Sequence, residues 1–362
     1  MNYRSIANLN QILVAALPRL PRDIDLVVGV PRSGLLAANM LALHMNLPLT
    51  DMRGLIQGRL LQSGRRLGGI KADFFESVRK VLIVDDSVNS GRALARARAE
   101  IAAAGLTYEL VYAACYVTDE SKDNVDFWCE VVPTPRAFEW NVMHQGLLAS
   151  CCVDIDGVLC RDPLPEENDD GPRYLRFLAE AEPLFLPTVR VGALVSAPLE
   201  KYRAETMAWL DKHGVQYDEL VLLDLPDAAT RRARGCHAQH KAAAYARRND
   251  LLFLESDADQ AEEIARLSAR PVLCVGTRRM VYPSSVVGNL RALSRHKGRK
   301  LMARGKRFMM KWLAQGLRHK PVDAALDVAD EAQRPLEIAG EAARDQVTQT
   351  KEAVEPETTS QR

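Results

Sequence analysis

Between Ile24 and about Val131 short apolar runs alternate with stretches whose apolar positions recur at helical spacing. DLVVGV, KVLIVDD and LVYAACYV are rich in β-branched residues and end at Gly, Asp or Thr, which is the signature of buried strands. RALARARAEIAAAG, lying between two of them, reads as a helix closed by Gly105. A second series of the same kind opens at CCVDIDG and continues through VGALVSA, ELVLLD, LLFLESD and PVLCV, with helical patterns such as LEKYRAETMAWLDKHG between them. Strands that alternate with helices predict parallel sheets covered on both faces. The fold class expected is therefore α/β, with two Rossmann-like three-layer domains over residues 1–147 and 148–283. The halves share an architecture and no motif, so they are not a repeat.

After Ser284 the strand-like runs stop. Residues 284–320 carry a basic helical pattern, and residues 321–362 turn to Ala, Glu, Gln and Thr without aromatic side chains, a composition expected of a disordered tail. Length agrees with this division, since 362 residues exceed one ordinary domain. The net charge of +1 is a cancellation. Residues 1–284 hold 33 Lys and Arg against 37 Asp and Glu, residues 285–320 hold 11 against none, and residues 321–362 hold 4 against 10. No apolar stretch approaches the roughly 20 residues that span a bilayer, and the start lacks the basic and apolar regions of a secretion signal. Seven cysteines without paired metal spacing suggest reduced thiols, as in a cytosol.

Candidate chemistry gathers at strand ends. In VLIVDDSVNSGRAL, residues 81–94, a buried strand delivers Asp85 and Asp86 to a turn made of Asn89, Ser90, Gly91 and Arg92. Backbone amides and a hydroxyl at a helix N-terminus suit a phosphate, and the acids can accept hydrogen bonds from sugar hydroxyls. This segment resembles the PRPP-binding motif of the type I phosphoribosyltransferase family, PRPP being phosphoribosyl pyrophosphate. VVGVPRSGLLAA, residues 27–38, resembles the same family's pyrophosphate loop, which would put Arg32, Ser33 and Gly34 on the pyrophosphate. Residues 52–75 stand where the family has a mobile hood, and Arg53, Arg59, Arg65, Arg66 and Lys71 are its candidate cations. Purine-salvage members carry a third acid where this chain has Asn89, and an amide cannot manage a proton at a purine nitrogen. Phe138 and Trp140 are the candidates for stacking on a nucleobase, and packing against the second domain is the favoured role for them.

In CCVDIDGVLCRD, residues 151–162, Asp154 and Asp156 are two apart on a strand end and leave one face, with Gly157 turning the chain behind them. A carboxylate pair of this kind calls for a cation, Mg²⁺ by its hardness, and supplies a nucleophile and a proton donor. The segment resembles the first motif of the haloacid-dehalogenase-like phosphatase superfamily. That resemblance implies further roles: Ser196 would hold the phosphoryl group, Lys241 would be the catalytic residue of the third motif, and Glu255 with Asp257 or Asp259 would complete a metal site with Asp154 and Asp156. Residues 161–190 can form only a small cap.

Within residues 285–320, Leu301, Phe308, Met309, Trp312 and Leu313 share one helical face and Lys300, Arg304, Arg307 and Lys311 another. Such a basic amphipathic helix suits an anionic membrane surface, where each cation contributes about 1 kcal/mol. An RNA-binding arm and packing on an acidic face are the alternatives, and nucleic acid is the less favoured partner. The whole arrangement is similar to two-domain bacterial ribofuranosyltransferases of polysaccharide biosynthesis. This resemblance implies a bifunctional cytoplasmic enzyme, peripheral on the inner face of the membrane. It would transfer 5-phosphoribosyl from PRPP to a hydroxyl of a lipid-linked glycan with inversion to a β-ribofuranoside, then hydrolyse the 5-phosphate, with Mg²⁺ as cofactor. Asp119, Glu139 and His144 are candidates for activating the acceptor hydroxyl. A nucleobase phosphoribosyltransferase fused to a nucleotidase, and a PRPP-sensing regulator with an RNA-binding tail, are the competing readings.

Overall fold

In the computed structural model the described residues are 1–61 and 73–283, apart from the side chain of Arg232. Arg65, Arg66 and Lys71 of the expected hood, the basic segment 284–320 and the tail 321–362 lie outside them. The first half runs β1 (Asn2–Arg4), α1 (Ile6–Ala16), β2 (Leu26–Gly29), α2 (Gly34–Met45), β3 (Leu49–Asp51), α3 (Met52–Ile56), α4 (Phe74–Ser77), β4 (Lys80–Ser87), α5 (Arg92–Ala103), β5 (Glu109–Val117), β6 (Phe127–Val131) and β7 (Arg136–Phe138). Five of its strands form a parallel sheet in the order β3-β2-β4-β5-β6.

Period-two alternation decides which side chains cover each face of this sheet. Val27, Leu82, Val84 and Cys115 point into one layer with Leu9 and Leu13 of α1, while Leu26, Val28, Val81 and Ile83 point into the other with Leu94, Ala97 and Ile101 of α5. Those last three repeat at helical spacing on the buried face of α5, and Gly105 follows in the left-handed region at φ +67°. The expected helix and its stop are both present.

The second half runs β8 (Cys151–Val153), α6 (Pro172–Glu180), β9 (Val191–Leu199), α7 (Arg203–Lys212), β10 (Tyr217–Leu223), α8 (Ala228–Arg234), α9 (His237–Ala246), β11 (Leu252–Glu255), α10 (Ala258–Ser268), β12 (Val272–Cys274) and β13 (Arg279–Val281). Its six-stranded sheet has the order β10-β9-β8-β11-β12-β13, parallel except for β13 at the edge. No described helix is long and apolar enough to cross a membrane.

The halves meet without a linker. β1 pairs in parallel with β7 in a small separate sheet, and Tyr3, Ala137, Val142, Met143 and Leu148 enter the core that also holds Val153, Leu194 and Leu254. Residues Met1–Ser285 accordingly form one compact unit. The expected division at 147/148 falls within the short 3₁₀ turn Gly146–Ser150, which runs directly into β8.

Candidate active sites

β4 is buried over almost its whole length and carries the acidic pair just before its last residue, Ser87, with Asp85 at 7 % and Asp86 at 3 % exposure. Asp85 accepts a hydrogen bond from the backbone N–H of Asp86 at 2.9 Å. Burial, then the neighbouring Asp86 charge, pushes the Asp85 carboxyl up to about 8. Asp86 is held from two sides: Ser33 Oγ donates to its Oδ1 at 2.8 Å and Trp140 Nε1 donates to its Oδ2 at 2.9 Å. The loop before α2 is thereby tied to the acidic turn. Gly34 is required by that approach, because a Cβ there would lie 2.7 Å from the Val84 carbonyl oxygen and 3.1 Å from Asp85 Oδ1. The Pro31–Arg32 peptide in this loop is cis.

A cleft of about 520 Å³ opens over the pair, and of the expected PRPP residues Ser33, Asp85, Asp86 and Asn89 line it. Gly34 lies beneath the loop, while Arg32, Ser90 and Arg92 are exposed and Gly91, at φ +72°, starts α5. Arg92 Nε donates to Ser90 Oγ at 3.2 Å. In the described part of the expected hood, Arg59 pairs with Asp51 at 3.8 Å. Part of the lining was not expected from the sequence: Arg136, Asn141 and Gln145 line the cleft beside Phe138. Arg136 donates to the carbonyls of Val88 at 2.9 Å and Val132 at 3.3 Å, and Gln145 Nε2 donates to Asn141 Oδ1 at 2.5 Å.

Two expectations are corrected here. Phe138 and Trp140 do pack, but in the first half's own core rather than against the second domain: Phe138 stacks on Tyr116 at 5.2 Å and on Trp140 at 4.9 Å, within the layer of Leu9 and Val84. β7 places them there by pairing with β1. None of the three proposed activators of the acceptor lines the cleft. Asp119 pairs with Lys122, Glu139 accepts from the Ile6 N–H at 2.8 Å and pairs with Arg278 at 3.1 Å, and His144 Nδ1 bonds Thr188 Oγ1 at 2.9 Å.

The second half builds a site on adjoining strand ends. Asp154 follows β8, Ser196 lies in β9, Glu255 ends β11 and Lys241 projects from α9, all four buried. Ser196 Oγ donates to Asp154 Oδ1 at 2.7 Å. Lys241 Nζ donates to Asp154 Oδ2 at 2.5 Å, to Glu255 Oε2 at 2.7 Å and to Gln260 Oε1 at 3.1 Å. Burial works against the Lys241 ammonium, yet the charges of Asp154 and Glu255 prevail and hold its pKa above the usual lysine value. Asp156, pushed up to about 7 by burial and then by Asp154, is poised to carry a proton near neutrality. Gly157, at φ +75°, is needed in the turn behind, where a Cβ would meet Ser256 Oγ at 2.2 Å.

These residues line a cavity of about 310 Å³, with Asp162, Tyr174, Arg231 and His237 added by the fold. Asp257 lines it and Asp259 does not. The lining also combines the 161–190 segment, through Tyr174 of α6, with Arg231 of α8, a contribution that spacing along the chain does not signal.

A four-acid metal cage is not assembled. Among the described residues no three His, Cys, Asp or Glu side chains converge closely enough to hold a metal by themselves. Glu255 gives one oxygen to Lys241 and the other to the N–H groups of Ser256 and Asp257, at 2.9 and 3.1 Å, and Asp257 caps α10 by accepting from the Gln260 N–H at 2.7 Å. One carboxylate is enough for Mg²⁺, which usually takes one or two and completes its shell with water and substrate phosphate, so Asp154 alone could serve it while Asp156 keeps its proton.

Residues 3–149 match the family model described as "Phosphoribosyl transferase domain". No curated protein matches the chain in sequence. Among solved structures, the Helicobacter pylori xanthine-guanine-hypoxanthine phosphoribosyltransferase is similar at 19% identity over 39% of this chain and 92% of that one, with a TM-score of 0.29. A purine phosphoribosyltransferase from Pyrococcus horikoshii Ot3 gives 20% identity over 38% and 92%, with a TM-score of 0.29. The orotate phosphoribosyltransferase from Aeropyrum pernix gives 18% over 34% and 70%, with a TM-score of 0.25. The assignment rests on the family match together with the strand, acidic pair and tied loop described above: the N-terminal region of this chain is a phosphoribosyltransferase domain.

Proposed function

We propose that the chain transfers 5-phosphoribosyl from PRPP to a hydroxyl of a glycan with inversion to a β-ribofuranoside, and that its second cavity then hydrolyses the 5-phosphate. What carries the reading is the presence, in one compact unit with the phosphoribosyltransferase domain, of a buried cluster of Asp154, Ser196, Lys241 and Glu255 under a separate cavity. That donor set is suited to a phosphomonoester. A phosphatase beside a phosphoribosyltransferase makes sense when the product is a riboside rather than a nucleotide.

At the first site Asp85 and Asp86 accept from the ribose hydroxyls, and the Ser33–Gly34 and Ser90–Arg92 turns supply donors to the phosphates. The acceptor oxygen attacks C1 as the bond to pyrophosphate breaks, its proton passing to the departing pyrophosphate, through a cationic transition state that a carboxylate-lined cleft favours. The acceptor side supports a polyhydroxyl substrate, because Asn89 replaces a proton-managing acid and the amides of Asn141 and Gln145 offer both donors and acceptors.

At the second site an Asp154 oxygen attacks phosphorus and Asp156 gives its proton to the departing 5-oxygen. Water then attacks the phosphorus of this acyl phosphate with Asp156 taking a proton back, which releases inorganic phosphate and frees Asp154. Mg²⁺ held by Asp154 would neutralise phosphoryl charge, leaving Asp156 to carry the proton. The basic amphipathic segment 285–320 belongs to the same proposal, as a peripheral contact with anionic membrane beside a lipid-linked acceptor on the cytoplasmic face.

Mass spectrometry of a synthetic lipid-like glycan incubated with PRPP and Mg²⁺ tests the reading. The intact chain should add a pentose and Asp154→Asn a phosphopentose. Conversion of free nucleobases to nucleotides, with no glycan of a diverse panel gaining mass, would establish nucleobase salvage instead. Binding of residues 285–320 to RNA but not to anionic vesicles would remove the membrane role.

A further inference from the structure

Among the described residues Arg136 is the one cation that lines the cleft over Asp85 and Asp86. Its guanidinium is half-buried and fixed in place: one terminal nitrogen donates to the Val88 carbonyl at 2.9 Å, the other to the Val132 carbonyl at 3.3 Å, and the Phe138 ring lies 5.5 Å beneath its carbon. No carboxylate among the described residues stands at ion-pair distance from it, although the field of Asp86 reaches it. These two carbonyls leave part of its donor set unused. Nε makes no hydrogen bond among the described residues and is not one of the polar atoms sealed from solvent, so it is open to a ligand. Asn141 is in the same condition, because Gln145 Nε2 donates to its Oδ1 and leaves its Nδ2 unpartnered and likewise unsealed. Both are donors, and both line one cleft.

Topology separates this lining from the donor side. In the strand order β3-β2-β4-β5-β6 the acidic turn of β4 comes between the loop after β2, with Ser33 and Gly34, and the segment after β6, with Arg136 and Asn141. The first of these serves pyrophosphate, which leaves the second to the acceptor. A fixed guanidinium without an ion pair fits a planar carboxylate, which it can bind through two parallel hydrogen bonds. It also offsets the repulsion that an anionic acceptor meets from PRPP in the same cleft. A phosphate on the acceptor would be exposed to the second cavity of the same chain, whereas a carboxylate is inert there. We propose that Arg136, with Asn141 of the same lining, selects an acceptor glycan that carries a carboxylate, as a uronic acid does. This subsite deepens the glycan-transfer reading and rests on it.

Saturation-transfer NMR titration of methyl glucuronide and methyl glucoside into the full chain reads the preference, with Mg²⁺ and pyrophosphate filling the donor side without turnover. The glucuronide should bind about tenfold more tightly than the glucoside, and Arg136→Gln should remove most of that ratio while leaving pyrophosphate affinity within about twofold. Asn141→Asp keeps the oxygen that Gln145 uses, and with it the local fold, but sets a negative charge against the carboxylate. It should cut the ratio by about fivefold, and it decides the matter if Arg136→Gln fails to fold. A ratio near unity in the parent, or one unmoved in the folded variants, overturns the subsite, and so does a loss in Arg136→Gln that falls on pyrophosphate and spares the ratio. If the preference and its loss persist while PRPP adds mass to no glycoside, the glycan-transfer reading falls and the carboxylate subsite stands.

Discussion

Lys241 Nζ lies 2.5 Å from Asp154 Oδ2, with both side chains buried at 3 % and 4 % exposure. A pair so deep in the protein is strongly coupled to folding, since removing one charge leaves the other without compensation. Glu255, on the far side of the same ammonium, shares in that dependence.

Lys241→Met should therefore destabilise the chain by about 3–5 kcal/mol, seen as a fall in thermal midpoint of about 10 °C. Adding Glu255→Gln should recover part of the loss, because one of the stranded carboxylates is then neutral. A midpoint within a degree of the parent would mean that the cluster is not buried as described.

The pH dependence of stability follows from acids whose folded pKa is raised. Asp85 at about 8 and Asp156 at about 7 hold protons that the unfolded chain has released, since the ordinary value is 3.8. The native state then binds more protons than the unfolded state, and stability falls as pH rises from about 4 to about 8. Urea midpoints at pH 5.5 and pH 8 should show this decline, and Asp85→Asn should flatten it by removing the largest contributor.

Gly34→Ala should cost about 1–3 kcal/mol, because its Cβ would meet the Val84 carbonyl of a buried strand that cannot yield. The loop can escape only by moving off Asp86, so PRPP binding followed by calorimetry should weaken at least about tenfold. Retained affinity would show that the Ser33 contact is dispensable.

Trp140 reports on the same acid. Its Nε1–H is held by Asp86, so Mg²⁺ and PRPP should change the emission of this indole, one of four tryptophans in the chain. Trp140→Phe should abolish most of the change and weaken PRPP about tenfold, the scale of one hydrogen bond to a charged group. An undiminished fluorescence response in the variant would place the reporter elsewhere.

Much of the fold was legible because its signals are local. DLVVGV, KVLIVDD and LVYAACYV become β2, β4 and β5, and the helix before Gly105 is present as α5. The phosphoribosyltransferase motif was legible for the same reason: acids at the end of a buried strand need only that strand and the next turn. No motif in the sequence singles out an acceptor activator. Asp119, Glu139 and His144 lie close in sequence to the cleft but find partners in Lys122, Arg278 and Thr188.

The sequence by itself determined strand and helix positions, the acidic turns of both halves and the glycines that those turns require, since periodicity and steric freedom are properties of a few consecutive residues. Tertiary structure alone decided that β1 pairs with β7, that Phe138 is buried in the first half's core, that Glu255 braces Lys241, and that Arg136, Gln145, Tyr174 and Arg231 complete the cavity walls. Walls are made where distant segments cross, and which segments cross is settled by packing whole sheets and helices together, which no spacing within one segment encodes.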